Sequence, residues 1–246
     1  MRVITNTDII ENRNTWARRV SPIAMFTLLT AFLLNLYSLF RPDRPEYIQY
    51  TFILLMVGLV LAMISSNLAN RWVREPRADQ VLSNTLKKFG KDYVLFNYTI
   101  SPPHLLLTPS RLYVITVKRQ TGQITVKGDR FSRKFSWTRF FRFFGEEGLG
   151  VPVVEAQSDV KTLNKFLAKK LAGEELPEIK PLVVFVNQDV ELSVDDPVIP
   201  VMRSNELKTY LRDHDKQRAI SASLRDTLTG IIGGEYQGDP STKKGF

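Results

Sequence analysis

The sequence predicts an α/β protein: two transmembrane helices, then a soluble domain built on a mixed sheet. Three observations carry this. Two uncharged apolar runs, 20–40 and 47–70, each have the roughly 20 residues needed to cross a hydrocarbon core as a helix. Beyond them, short runs rich in Val, Ile, Leu and aromatics have the composition of strands. Those runs are interleaved with stretches of helical apolar spacing, and the order helix, strands, helix, two strands, helix implies a sheet covered by helices.

Composition bounds the chemistry. The 246 residues carry a net charge of +9, which favours acidic partners such as nucleic acid or an anionic bilayer face. There is no cysteine, so disulfides and thiolate metal sites are excluded, and two histidines are too few for a histidine-built metal site.

Residues 1–19 form an N-terminal segment, 20–40 and 47–70 the two spans, and 41–46 a polar loop whose prolines separate them. A cleaved signal is disfavoured because the first run is long and leads straight into the second. Arg13, Arg18 and Arg19 precede the first span, and Arg71 and Arg74 follow the second, with Arg77, in the basic linker 71–77. The positive-inside rule then places both termini and the soluble domain in the cytoplasm. No charge lies mid-span, which argues against ion or proton transport by the hairpin alone.

The cytoplasmic domain is expected over 78–216. A helix begins it, with Val81, Leu82, Leu86 and Phe89 on one face and Gly90 as its stop. Strands follow at 93–100 and in a hairpin over 103–122, where Leu105, Leu106 and Leu107 and the run 112–117 flank the turn Thr108-Pro109-Ser110. Residues 123–126 make another strand. A helix over 154–171 aligns Val160, Leu163, Phe166 and Leu167; strands lie at 181–187 and 198–202, and a last helix starts near Glu206. Residues 217–246 read as a flexible tail, with a short amphipathic helix at 220–232 as the other reading.

Residues 127–144 hold six basic residues, six phenylalanines and a tryptophan. Arg130, Arg133, Lys134, Trp137, Arg139 and Arg142 are the candidate contacts to nucleic acid or to anionic lipid. A protein partner in a membrane complex is the third use, and core aromatics with a solvated charged rim the bland one. Tethering favours the bilayer or a partner over nucleic acid.

Several stretches together resemble the nuclease-related domain family, a branch of the PD-(D/E)xK nuclease fold. They are Leu86-Lys-Lys-Phe-Gly-Lys-Asp-Tyr93, His104-Leu-Leu-Leu-Thr-Pro109, Leu112-Tyr-Val-Ile-Thr-Val-Lys118 with Gly122, the helix entry from Pro152 to Gln157, and Val183 to Leu192. The resemblance implies a metal-dependent nuclease ancestry, with two carboxylates holding a hard cation and a lysine at the attacking water. At the two carboxylate positions this chain has Pro103 and Thr116; Lys118 remains, and Asp79 lies near the position of a further acid. The reading is therefore a domain without catalysis and without a metal or cofactor, used for binding or scaffolding in a membrane complex. The alternative is a membrane-tethered nuclease using Mg²⁺, Asp79 and Lys118, with Asp92 or Asp129 as other acids. His104 is expected to hydrogen-bond structurally, and no serine has the glycine elbow of a nucleophile.

Overall fold

Strand β1 (Arg2–Thr5) opens the chain and is followed by helices α1 (Thr7–Leu39) and α2 (Glu46–Leu68), then a π-helical turn over Ala69–Val73. The computed structural model describes residues 1–134, 148–171, 176–215, 219–234 and 236. These fall into two compact units: residues 8–77, and a second made of 1–7, 78–134 and the described residues from 148 onward.

In the first unit α1 and α2 form an antiparallel hairpin whose buried residues are mostly small, Ile10 near the start of α1 being the large one. Ala17, Ala24, Ala31 and Ser38 are buried on α1, and Thr51, Gly58 and Ser65 on α2, each row repeating every seven residues. Such a strict repeat suits two helices wound closely around each other. Gly58 marks the closest approach: a Cβ there would lie 2.7 Å from Leu28 Cδ2 and 3.3 Å from the Leu28 backbone nitrogen. The large residues point the other way. Phe26, Phe32, Leu33, Phe52 and Ile53 are all more than half exposed. Both helices are long and apolar enough to cross a membrane, and burying mainly small residues along the apolar runs is the packing expected where the surroundings are themselves oily. The polar side chains stay within their own helices: Thr27 donates to the Ile23 carbonyl, Thr30 to Phe26, Ser38 to Asn35 and Thr51 to Tyr47. At the turn the Tyr37 and Tyr47 rings meet edge to face at 5.5 Å.

The second unit contains α3 (Ala78–Leu86), β2 (Val94–Asn97), β3 (His104–Leu107), β4 (Leu112–Lys118), β5 (Gly122–Lys127) and β6 (Arg130–Arg133). After them come α4 (Pro152–Lys170), β7 (Ile179–Phe185), β8 (Val190–Asp195), β9 (Val201–Arg203), α5 (Ser204–His214) and α6 (Ala222–Gly233). The main sheet has the order β1-β2-β3-β4-β7-β9, and β6-β5-β8 form a smaller one. Strands β2, β3 and β4 are antiparallel, whereas β4, β7 and β9 run parallel. The crossover that parallel pairing demands carries α4.

Strand alternation sorts the β4 side chains onto two faces. Tyr113 and Ile115 pack with Leu82 and Leu86 of α3 and Leu207 and Leu211 of α5. Leu112 and Val114 pack on the other face with Leu163 and Leu167 of α4 and Leu228 and Ile232 of α6. The β3–β4 turn is tied down by Asp215, which accepts hydrogen bonds from Tyr93 (3.0 Å), Thr108 (2.7 Å) and Ser110. Burial and that bond push the Tyr93 phenol up to about 12.

Three expectations change. The segment 1–19 is not only a lead-in: Arg2–Thr5 pairs parallel with Val94–Asn97 at the edge of the main sheet, with Ile4 2% exposed. Helix α1 consequently starts at Thr7 rather than residue 20, and the hairpin is an insertion between β1 and α3. The presumed tail contains α6, whose Leu228 and Ile232 are fully buried, so the amphipathic reading of 220–232 holds there. Residues 190–195, not assigned to a strand above, form β8, in which Val190, Leu192 and Val194 alternate with polar residues and only Val190 is fully buried.

Candidate functional site at the end of β4

Thr116 and Lys118 continue the β4 face that begins with Leu112 and Val114, so the apolar row becomes polar at its last two positions. Leu105 pairs with Val114; carried two residues further, that antiparallel register sets Pro103 opposite Thr116. Cross-strand neighbours are close enough to share one ion, which explains why a metal site needs carboxylates at both positions. A ring and a hydroxyl stand there instead. The Thr116 Oγ1 is buried and has no hydrogen-bond partner among the described residues.

Lys118 is 8% exposed and held by two partners. Its Nζ donates to Glu155 Oε2 at 2.7 Å and to the Leu149 carbonyl at 3.1 Å. Glu155 lies in the first turn of α4, which opens with Pro152 at a position where no backbone N–H is needed. Gln120 Nε2 donates to the Gly148 carbonyl at 3.0 Å, so 148–150 is fastened to the strand end twice. Gly150 has φ 64°, a left-handed conformation that favours glycine, and a Cβ there would push the Glu155 carboxylate aside.

Asp159 is one helical turn beyond Glu155. Burial raises its carboxyl above the ordinary range, the Glu155 charge raises it further, and Lys118 partly offsets both. The folded state therefore holds a proton on Asp159 in a range where the unfolded chain has lost it, and stability falls as pH rises through that range. Asp159→Asn is expected to melt higher than the parent at pH 7, with the gain vanishing at pH 3; thermal melts across that interval check it.

This constellation does not fit the divalent metal that the nuclease resemblance implies. Mg²⁺ needs near-octahedral oxygen ligation, usually through one or two carboxylates not otherwise committed. Glu155 is committed to Lys118, Asp159 is driven toward its neutral form, and no group of three His, Cys, Asp or Glu side chains suited to a metal exists among the described residues.

The other anticipated residues are scattered. Asp79 is buried in the first turn of α3, on the sheet face opposite Lys118, so these two are not brought together. Asp92 is paired with Arg225 of α6 at 3.0 Å, and Asp129 is exposed in the β5–β6 turn. His104 makes the structural bond expected of it, 2.9 Å from Asn97 Oδ1. Arg130 and Lys134 are exposed, Phe131 packs into the core beside the small sheet, and Arg133 donates to the Thr121 carbonyl at 3.0 Å. Trp137, Arg139 and Arg142 lie outside the described residues. Sequence reading missed Glu155 and Asp159, although two acids four apart just after a helix-starting proline put both on one face of that helix.

Residues 71–186 match the nuclease-related domain family. No curated protein and no solved structure matches the chain. The matched span runs from the π-helical turn to the end of β7 and includes the β3–β4 hairpin, Lys118 and α4. That match covers just under half of the chain and marks residues 71–186 as nuclease-related.

Proposed function

We propose that this is a membrane-anchored protein whose nuclease-related domain has lost cleavage and serves as a binding or scaffold module in a membrane protein complex. One observation carries the loss of chemistry: Pro103 and Thr116 occupy the carboxylate positions, while Lys118 is sequestered by Glu155 and the Leu149 carbonyl. A lysine held that way is not available to a water. The mixed sheet flanked by α3 and α4 supports descent from a PD-(D/E)xK nuclease.

The hairpin with its large apolar residues outward supports anchoring, because so much exposed hydrocarbon is untenable in water. Strand β1 precedes the hairpin and β2 follows it, yet they are hydrogen-bonded neighbours. A chain that leaves a sheet and returns to it crosses the bilayer an even number of times. The arginines at that end, Arg13, Arg18, Arg19, Arg71, Arg74 and Arg77, favour the cytoplasmic side.

The full chain, purified in mild detergent with Mg²⁺ or Mn²⁺, is expected to cleave neither DNA nor RNA above the level of Lys118→Ala. Cleavage that disappears in Lys118→Ala would establish the other reading, a membrane-tethered metal-dependent nuclease. Affinity purification under the same conditions is expected to retain stoichiometric protein partners; a clean monomer would count against the complex.

A further inference from the structure

Where α1 and α2 emerge from their apolar runs, the hairpin encloses a cavity of about 400 Å³ lined by Ile9, Arg13, Asn67, Leu68, Arg71 and Trp72. Its position along the helices is informative. Asn67 and Leu68 belong to the end of the second uncharged run, and Arg71 is the first charge after it. Arg13 precedes the first uncharged run by seven residues, or about 10 Å at the α-helical rise. The cavity thus straddles the level at which hydrocarbon gives way to headgroups.

Its wall is built in a particular way. The helix widens to a π turn over Ala69–Val73, closed by the Arg74 amide donating to the Ala69 carbonyl at 2.8 Å. Such turns are rare and concentrate at functional positions. Trp72 is buried there, and the Arg71 guanidinium carbon lies 5.4 Å from the centroid of its ring, a distance at which the ring attracts and orients the cation. Arg13 enters from α1, exposed and without a hydrogen bond or ion pair among the described residues. Among the described residues no carboxylate lines the cavity. Two guanidiniums, an amide and an indole wall around one space, with apolar side chains beside them, match a phosphate attached to acyl chains. Arginine forks bind phosphate oxygens in pairs, and basic pockets between spanning helices on the cytoplasmic side take anionic headgroups.

We propose that this cavity binds the phosphate of an anionic phospholipid headgroup, with Arg13 and Arg71 as its ligands and Asn67 and Trp72 completing the site. The inference rests on the membrane-anchored reading above.

The test uses the full chain in mild detergent, titrated with short-chain phosphatidylglycerol, short-chain phosphatidylcholine or inorganic phosphate, with the thermal midpoint as readout. Phosphatidylglycerol is expected to raise the midpoint, and the other two to leave it unchanged at equal concentration. Arg13→Gln combined with Arg71→Gln is expected to weaken the response about tenfold. Arg18→Gln with Arg19→Gln, at the same end of α1 but outside the cavity, is expected to keep it. Since Arg71 helps shape the turn, Arg13→Gln alone is the second variant; it should weaken binding at an unchanged ligand-free midpoint. Equal weakening by the Arg18/Arg19 pair would mean diffuse surface charge and overturn the site, as would an equal response to phosphatidylcholine. A response to inorganic phosphate alone would assign the cavity to a free anion and overturn the lipid. Carbonate extraction separates this inference from its foundation. Protein released by carbonate overturns both, whereas protein that stays in the membrane but ignores the Arg13 and Arg71 changes overturns only the headgroup site.

Discussion

Ile4→Ala is expected to destabilise the nuclease-related domain by about 3 kcal/mol, the middle of the range for truncating a buried isoleucine. Ile4 sits on a four-residue edge strand, 2% exposed, in the core cluster with Val94, Phe96 and Leu228. Strand β1 pairs with β2 alone, and its backbone is held by the Arg2 amide donating to the Tyr93 carbonyl at 2.8 Å and the Asn6 amide to Asn97 at 3.0 Å. Loosening it also exposes the edge of β2, a template for pairing with other chains. Proteolysis of the purified full chain across a urea series should show a lower midpoint for the variant. An unchanged midpoint would mean that β1 is not part of the cooperative domain. A domain unfolded in this way would also lose whatever it binds, so a lead-in segment that looks dispensable is expected to be essential.

Gly58→Leu is expected to force the hairpin apart, at the upper end of the roughly 1–3 kcal/mol typical of overpacking. The Leu28 side chain can rotate away from a new Cβ, but its backbone nitrogen, 3.3 Å from that position, cannot. The Cβ of Gly58→Ala already meets that nitrogen, so alanine should lower the midpoint as well and Gly58→Leu, with three more carbons to place, should lower it further. Thermal melts in mild detergent rank the two, and equal midpoints would show that the helices do not approach closely at this point.

Both predictions concern features that sequence reading passed over, for different physical reasons. In water, burial is announced by apolar side chains, which is why the runs at 105–107, 112–117 and 181–187 were legible as strands. Inside a bilayer both faces of a helix are apolar. The face that meets the other helix is then marked by smallness, and Ala17, Ala24, Ala31, Gly58 and Ser65 become meaningful only once they are seen to be buried. Strand β1 is illegible for another reason. Four residues have no periodicity to read, and what makes them a strand is a partner far along the chain, as in the hydrogen bond from Asn97 Nδ2 to Thr5 Oγ1 across 92 positions.

At the candidate site, the sequence by itself determined which residues stand where the family resemblance implies carboxylates. Carboxylate positions are defined by residue identity, and Pro103 and Thr116 have no anionic oxygen to offer in any conformation. It also determined the hairpin and its basic flanks, since length, charge and apolarity are local properties. Only the tertiary structure decided what became of Lys118. Its partner Glu155 comes from a helix 37 residues later, brought against β4 by the packing of Leu163 and Leu167 on the same face. The fold likewise set Asp79 on the opposite face from Lys118. An ion pair and a shared face are distances in space, and no spacing along the chain encodes them.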